Sequence, residues 1–117
     1  MPIGLDHIQI AIPAGGEPQG RAFYGEILGL TEVAKPPTLP PEGVWFEDAD
    51  LRIHLGVDPS FAPATKAHPG FTTPALDGLV ARLRDAGYAV REDSSLPGVK
   101  RAFTADPFGN RIELIEA

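Results

Sequence analysis

Three histidines and one glutamate hold the chemistry open to this sequence: His7, His54, His68 and Glu113. His7 stands six residues before Pro13, and His68 six residues before Pro74. His54 lies in Arg52-Ile53-His54-Leu55, and Glu113 in Arg111-Ile112-Glu113-Leu114. His68 follows His7 by 61 residues and Glu113 follows His54 by 59, a near-constant offset of the kind a duplicated unit produces. Every histidine of the chain falls in this pattern. Neutral imidazoles with one carboxylate suit a borderline divalent cation, here Fe2+, Zn2+, Ni2+, Mn2+ or Co2+. The sequence has no cysteine, so thiolate ligands and disulfides are excluded. The four groups are therefore read as ligands of one divalent metal ion.

The elements that must position them can be read from periodicity. Residues 3–12 alternate, with Ile8, Ile10 and Ile12 on one face and His7 and Gln9 on the other, which predicts a strand. Residues 18–28 predict a helix, with Pro18 in its first turn and Gly29 as its stop. A proline-rich loop over 34–42 precedes two strands, 44–47 and 51–57. In the second of these Leu51, Ile53, Leu55 and Val57 oppose Arg52, His54 and Gly56. Residues 58–66 read as a connector. A strand is then predicted over 68–73, and a helix capped by Thr73, with Pro74 in its first position. Leu76, Leu79, Val80 and Leu83 give that helix its apolar stripe, and Gly87 ends it. A short strand over 88–91 and a hairpin of 99–105 with 110–116 follow. The hairpin turns at Asp106-Pro107-Phe108-Gly109, a type I pattern. The expected fold class is α+β: two βαβββ modules in one domain over residues 1–117, module 1 about 1–60 and module 2 about 61–117. Aliphatic strand faces pack on helices, so the four candidate ligands point the other way, into a cleft enclosed by curved sheets.

Further side chains fall near this set. Gln9 shares the face of His7 and is a candidate for contacting substrate. Pairing across the turn puts Lys100 on the face of Glu113, where a cation would favour an anionic substrate. His54, Gln9 and Lys100 are the expected catalytic residues. Arg52 and Arg111 precede their ligands by two positions and share their faces. Trp45 and Phe46 are candidates for the pocket wall, with core packing expected of at least one. Phe108, in the turn, is a candidate to cover the mouth of the cleft.

Composition narrows the remaining classes. The net charge of −6 repels phosphate backbones, so no nucleic-acid partner is expected. The N-terminal MPIGLDHIQIAI has no basic region and is broken by Asp6, His7 and Gln9, so neither a signal peptide nor a membrane segment is expected and the compartment is read as cytoplasmic. The sequence contains no glycine-rich phosphate loop and no serine in a nucleophile elbow.

Asp6-His7-Ile8, Phe23-Tyr24 with Leu28-Gly29-Leu30, and above all Asp106-Pro107-Phe108-Gly109-Asn110-Arg111-Ile112-Glu113-Leu114 resemble the vicinal oxygen chelate superfamily. That superfamily includes glyoxalase I, extradiol dioxygenases, fosfomycin-resistance proteins, methylmalonyl-CoA epimerase and bleomycin-resistance proteins. The resemblance covers nearly the whole chain and implies paired βαβββ modules with metal ligands from the first and last strand of each. His7, His54, His68 and Glu113 fall at those positions. It further implies a divalent metal that chelates neighbouring oxygens of a small-molecule substrate, in a lyase, isomerase or dioxygenase. Glyoxalase I carries a glutamate where this chain has His54. Extradiol dioxygenases and fosfomycin-resistance proteins use three ligands, matching His7, His68 and Glu113 and leaving His54 as a fourth ligand or an acid–base group. Short two-module members pair modules across subunits, which implies a homodimer. The competing expectation is a metal-free sequestering protein of the bleomycin-resistance type.

Overall fold

The computed structural model describes residues 1–117. The chain divides into two compact units, Met1–Ala62 and Pro63–Ala117, and each repeats the same element order. Unit 1 runs β1 (Ile8–Ile12), helix α1 (Glu17–Gly20) continuing as a π-helix (Arg21–Ile27), β2 (Thr31–Val33), β3 (Val44–Asp48) and β4 (Leu51–Val57). Unit 2 runs β5 (Gly70–Thr73), α2 (Leu76–Asp85), β6 (Arg91–Asp93), β7 (Arg101–Ala105) and β8 (Arg111–Glu116). The sheets are ordered β1-β4-β3-β2 and β5-β8-β7-β6, so the duplicated βαβββ plan holds in topology as well as in order.

In unit 1 the aliphatic alternation becomes the core. Ile10, Ile12, Ile53, Leu55, Val44 and Phe46 are buried from the sheet, and Phe23, Tyr24 and Leu30 from the helical side. The helix lies close because glycine faces the sheet. A Cβ on Gly20 would stand 2.6 Å from Leu55 Cδ1, and one on Gly25 3.3 Å from Phe46 Cε1. The helix is regular only over its first turn. Leu28 then donates to the Phe23 carbonyl, five residues back, and Gly29 at φ 78° ends it.

Unit 2 buries Phe71, Leu76, Val80, Leu83, Ala102, Ile112 and Leu114. Its helix starts later than the sequence predicts. Ala75 occupies the N-cap position, Pro74 stays outside, and Thr73 Oγ1 accepts from the Ala75 N–H rather than from the first turn. Glu116 replaces it, its Oε2 accepting from the Leu76 N–H at 2.8 Å. A carboxylate from the last strand thus caps the helix electrostatically as well as by hydrogen bonding. Strands β5, β6 and β7 begin at Gly70, Arg91 and Arg101, two or three residues after the expected starts. The β7–β8 turn is built on Asp106, which is 4% exposed and accepts the Phe108 and Asn110 N–H groups. No helix is long and apolar enough to cross a membrane.

Candidate functional site

The sheet register carries the internal repeat down to single residues. Gln9 on β1 is level with His54 on β4, and Gly70 on β5 is level with Glu113 on β8. In each unit the first histidine, His7 or His68, thus lies two residues before the partner of the second candidate ligand. On the far side of β4 and β8 the repeat continues: His54 faces Trp45 on β3, and Glu113 faces Phe103 on β7. Each unit therefore presents two candidate ligands and one aromatic ring on the sheet face opposite its core.

In unit 1 His54 is held between two rings. The Trp45 indole stacks on it at 3.8 Å and 2°, and His7 lies on its other side at 4.3 Å and 22°. His54 is only 7% exposed. Its burial, reinforced by the neighbouring His7, lowers its pKa below the usual histidine range against the opposing pull of Asp6 and Glu47. A neutral ring with a free nitrogen lone pair is the form that ligates. His7 is more open, with 42% of its side chain exposed, and its Nδ1 pairs with Asp6 Oδ1 at 2.9 Å. Asp6 accepts a hydrogen bond from Nδ1–H, which in the neutral ring leaves the lone pair on Nε2. Arg52 reaches Glu47 at 3.5 Å and Asp6 at 3.7 Å, so it braces the carboxylate behind His7.

In unit 2 His68 and Glu113 touch directly, Nε2 to Oε1 at 3.0 Å. His68 Nδ1 lies 2.9 Å from the Lys66 carbonyl, which can only accept, so Nδ1 carries the proton. Nε2 then points at a carboxylate oxygen, and both atoms are lone-pair donors. That pairing requires a cation between the two atoms, either a proton or a metal. The other oxygen of Glu113 accepts from Arg101 Nη1 at 3.2 Å, and Arg101 is held in turn by Asp93 at 2.7 Å. Burial raises the Glu113 pKa, but the bonds from His68 and Arg101 outweigh it and keep the carboxyl below the usual glutamate range.

The four candidate ligands are thus brought together as two pairs, His7 with His54 and His68 with Glu113. Neither unit gathers three ligating side chains by itself. Gln9 is exposed beside His54 on the same sheet, its amide lying over Gly56, where a Cβ would meet it at 2.5 Å. It lines a groove of about 640 Å³ with Lys35, Leu39, Pro40 and Trp45. Trp45 is on this face and Phe46 in the core, as expected for one of the two.

Lys100 is a correction. Its ammonium pairs with Asp77 on α2 at 2.8 Å, on the helix side of the sheet, and Arg101 is the cation beside Glu113. The turn sets Phe103 opposite Glu113, so odd-numbered residues of β7 share the face of Glu113. A register read one residue off moves every side chain to the wrong face. Phe103, the counterpart of Trp45 in the second unit, was missed as well. Trp45 lies nine residues before His54 and Phe103 ten before Glu113, so the hairpins differ by one residue and the repeat is hidden from a fixed offset.

Residues 4–114 match the family model of the Glyoxalase/Bleomycin resistance protein/Dioxygenase superfamily. The chain belongs to this superfamily. A glyoxalase family protein from Bacillus anthracis is 43% identical with a TM-score of 0.94, covering 99% of this chain and 96% of that one. An antibiotic binding protein from a Streptomyces species is 25% identical with a TM-score of 0.75, covering 99% and 98%. A genomically encoded fosfomycin resistance protein from Listeria monocytogenes is 21% identical with a TM-score of 0.80, covering 100% and 95%, a likeness of fold. No curated protein matches the chain. Within the superfamily, the residues available here fit a divalent metal. Three imidazoles and a carboxylate make a suitable donor set, and the outer nitrogens of His7 and His68 are already tied to oxygen acceptors.

Proposed function

We propose that this superfamily member is a divalent-metal-dependent enzyme acting on a small oxygen-bearing substrate, with His7, His54, His68 and Glu113 as the metal ligands. The observation that carries this reading is the His68–Glu113 pair: an imidazole whose Nδ1 is tied to the Lys66 carbonyl and whose Nε2 stands 3.0 Å from a carboxylate oxygen. A metal bound there supplies a Lewis acid for two neighbouring substrate oxygens, the basis of lyase, isomerase or dioxygenase chemistry. The chain's own residues supply the rest. Asp6 and the Lys66 carbonyl orient the two exposed histidines, Arg101 and Asp93 hold Glu113 ionised and in place, Trp45 stacks on His54, and Phe103 meets His68 with its edge. Gln9 stands beside His54 with a free end for a substrate hydrogen bond.

Because each unit offers two ligands, we assign the complete set to a homodimer in which His7 and His54 of one protomer join His68 and Glu113 of its partner. Metal analysis of protein purified without a histidine tag tests the assignment. Close to one first-row ion per chain is expected, falling sharply in Glu113→Gln and His68→Ala proteins. Unchanged stoichiometry in both variants would refute it.

A second reading follows from the antibiotic binding protein from Streptomyces, which shares the fold at 25% identity. The chain would then sequester a small molecule without metal, on the stacked face of Trp45 and His54. Tight ligand binding by chelator-treated protein, with no metal in the purified form, selects this reading.

A further inference from the structure

The sheet of unit 2 carries an arrangement of charge that the ligand pair does not use. Three guanidinium groups surround the single ring of Phe103: Arg91 at 4.8 Å, Arg101 at 5.1 Å and Arg111 at 4.8 Å from its centroid. They come from three adjacent strands and share the face of Glu113, since Arg91 is level with Phe103 and Arg111 lies two residues before Glu113. Arg101 is neutralised by Asp93 and Glu113. Arg91 and Arg111 have no carboxylate partner, only the ring face between them. Both guanidinium carbons are within 4.8 Å of one point, in a chain whose net charge is −6. Other arginines of the molecule are paired: Arg21 with Glu32, Arg52 with Glu47, and Arg84 with Glu92. Two cations without carboxylate partners flank one ring, and each guanidinium can offer a planar or tetrahedral oxyanion forked hydrogen bonds. The groove that Arg91 and Arg111 line, about 380 Å³, is completed by Ala89, Val90, Thr104 and Ala105 beside the ring.

We propose that Arg91 and Arg111, bridged by Phe103, form an oxyanion subsite that holds the carboxylate or phosphate-type group of the substrate while its reacting oxygens meet the His68–Glu113 pair. This rests on the metal-enzyme reading for the reacting end alone; the subsite itself stands on the arginines. Phe103 is the organising element. It contacts His68 edge-on at 5.8 Å and the arginines by its face, so one ring sets the spacing between the charged end of a substrate and the ligand pair.

The test is direct binding to the full chain, freed of metal by chelation so that no anion can coordinate an ion. Inorganic phosphate and acetate are titrated separately at constant ionic strength, following the arginine Nε–H resonances by NMR. Saturable binding is expected, with shifts at the Arg91 and Arg111 signals and affinity reduced at least tenfold in Arg91→Gln/Arg111→Gln protein. It should be kept in Lys100→Gln, which removes a cation from the opposite face. The tighter of the two probes identifies the class of oxyanion. Non-saturating shifts with both probes, or equal binding by the double variant, would overturn the subsite, and so would an equal loss in Lys100→Gln. Arg91→Lys/Arg111→Lys, which keeps the charge but not the fork, is expected to recover only part of the affinity and guards against a folding defect. Metal uptake by the glutamine double variant separates the two readings. A variant that binds metal normally but no phosphate supports the subsite. Wild-type protein that takes up no metal yet binds phosphate through these arginines refutes the metal centre and leaves the subsite standing.

Discussion

A histidine ring clamped between an indole and a second imidazole reports on its own surroundings. Trp45 is the sole tryptophan and lies 3.8 Å from His54, so its emission reads out that ring. Adding Co2+ or Ni2+ to metal-free protein should quench the emission with the same stoichiometry as metal uptake, and His54→Ala should abolish the response; quenching of equal size in that variant would show that the ion binds elsewhere. The same scale shows what could be read from sequence. The pairing of His7 with His54 and of His68 with Glu113 was legible because a duplication marks the positions twice. The cation beside Glu113 was not, since Lys100 and Arg101 are adjacent and only the strand register decides which faces the site. The Trp45–His54 stack and the ring of arginines around Phe103 depend on cross-strand neighbours from three strands, which no local pattern encodes.

At the scale of elements, unit 1 depends on glycines where the chain passes close to itself. A Cβ on Gly43 would stand 2.3 Å from the Leu55 carbonyl oxygen, and its φ of 89° is strained for any other residue. Gly20 meets the buried Leu55 side chain instead. Gly20→Ala should lower stability by about 1–3 kcal/mol through overpacking, and Gly43→Ala should do more harm because backbone cannot yield as a side chain can. Urea unfolding ranks the two. The Gly43 N–H also donates to Glu17 Oε2 at 3.1 Å, and this bond, followed by one within Glu17 itself, holds the Glu17 pKa below the usual range. A carboxyl with a depressed folded pKa stabilises the fold above its unfolded value and loses that contribution as pH falls through the folded one. The stability gap between wild type and Glu17→Gln should therefore be present at neutral pH and close in acid; a gap independent of pH would assign the bond no charge contribution. The helices themselves were legible from periodicity and their stop glycines. The π-helical turns and the Glu116 cap were not, because the first follows from packing on the sheet and the second from a residue forty positions away.

At the scale of the whole molecule, two units with the same topology each hold two of the four proposed ligands. Mixing subunits tests the proposed sharing. His7→Ala and Glu113→Gln chains, each metal-deficient alone, should regain one intact site per heterodimer, since both lesions then fall in the other site. No recovery would place each site within one chain, and a monomer in sedimentation would remove the shared site altogether. The sheet order that makes the pairs has a further consequence, in the order of synthesis. Strand β1 pairs in parallel with β4, the last strand of its unit, with Gln9 beside His54. On the ribosome β1 emerges first and waits for about 45 residues, roughly 2–9 s at elongation rates near 5–20 residues per second. Meanwhile β2, β3 and β4 can close as a meander from neighbouring segments, and β6, β7 and β8 can do so in the second unit. The apolar IQIAI segment, made before the other strands of its sheet, has no strand to pair with until β4 follows. Nascent chains arrested just before residue 51 leaves the exit tunnel should therefore be open to protease at β1 and become resistant once Val57 has emerged. Slow codons between β1 and β4 would lengthen the exposure of that segment without altering a single amino acid.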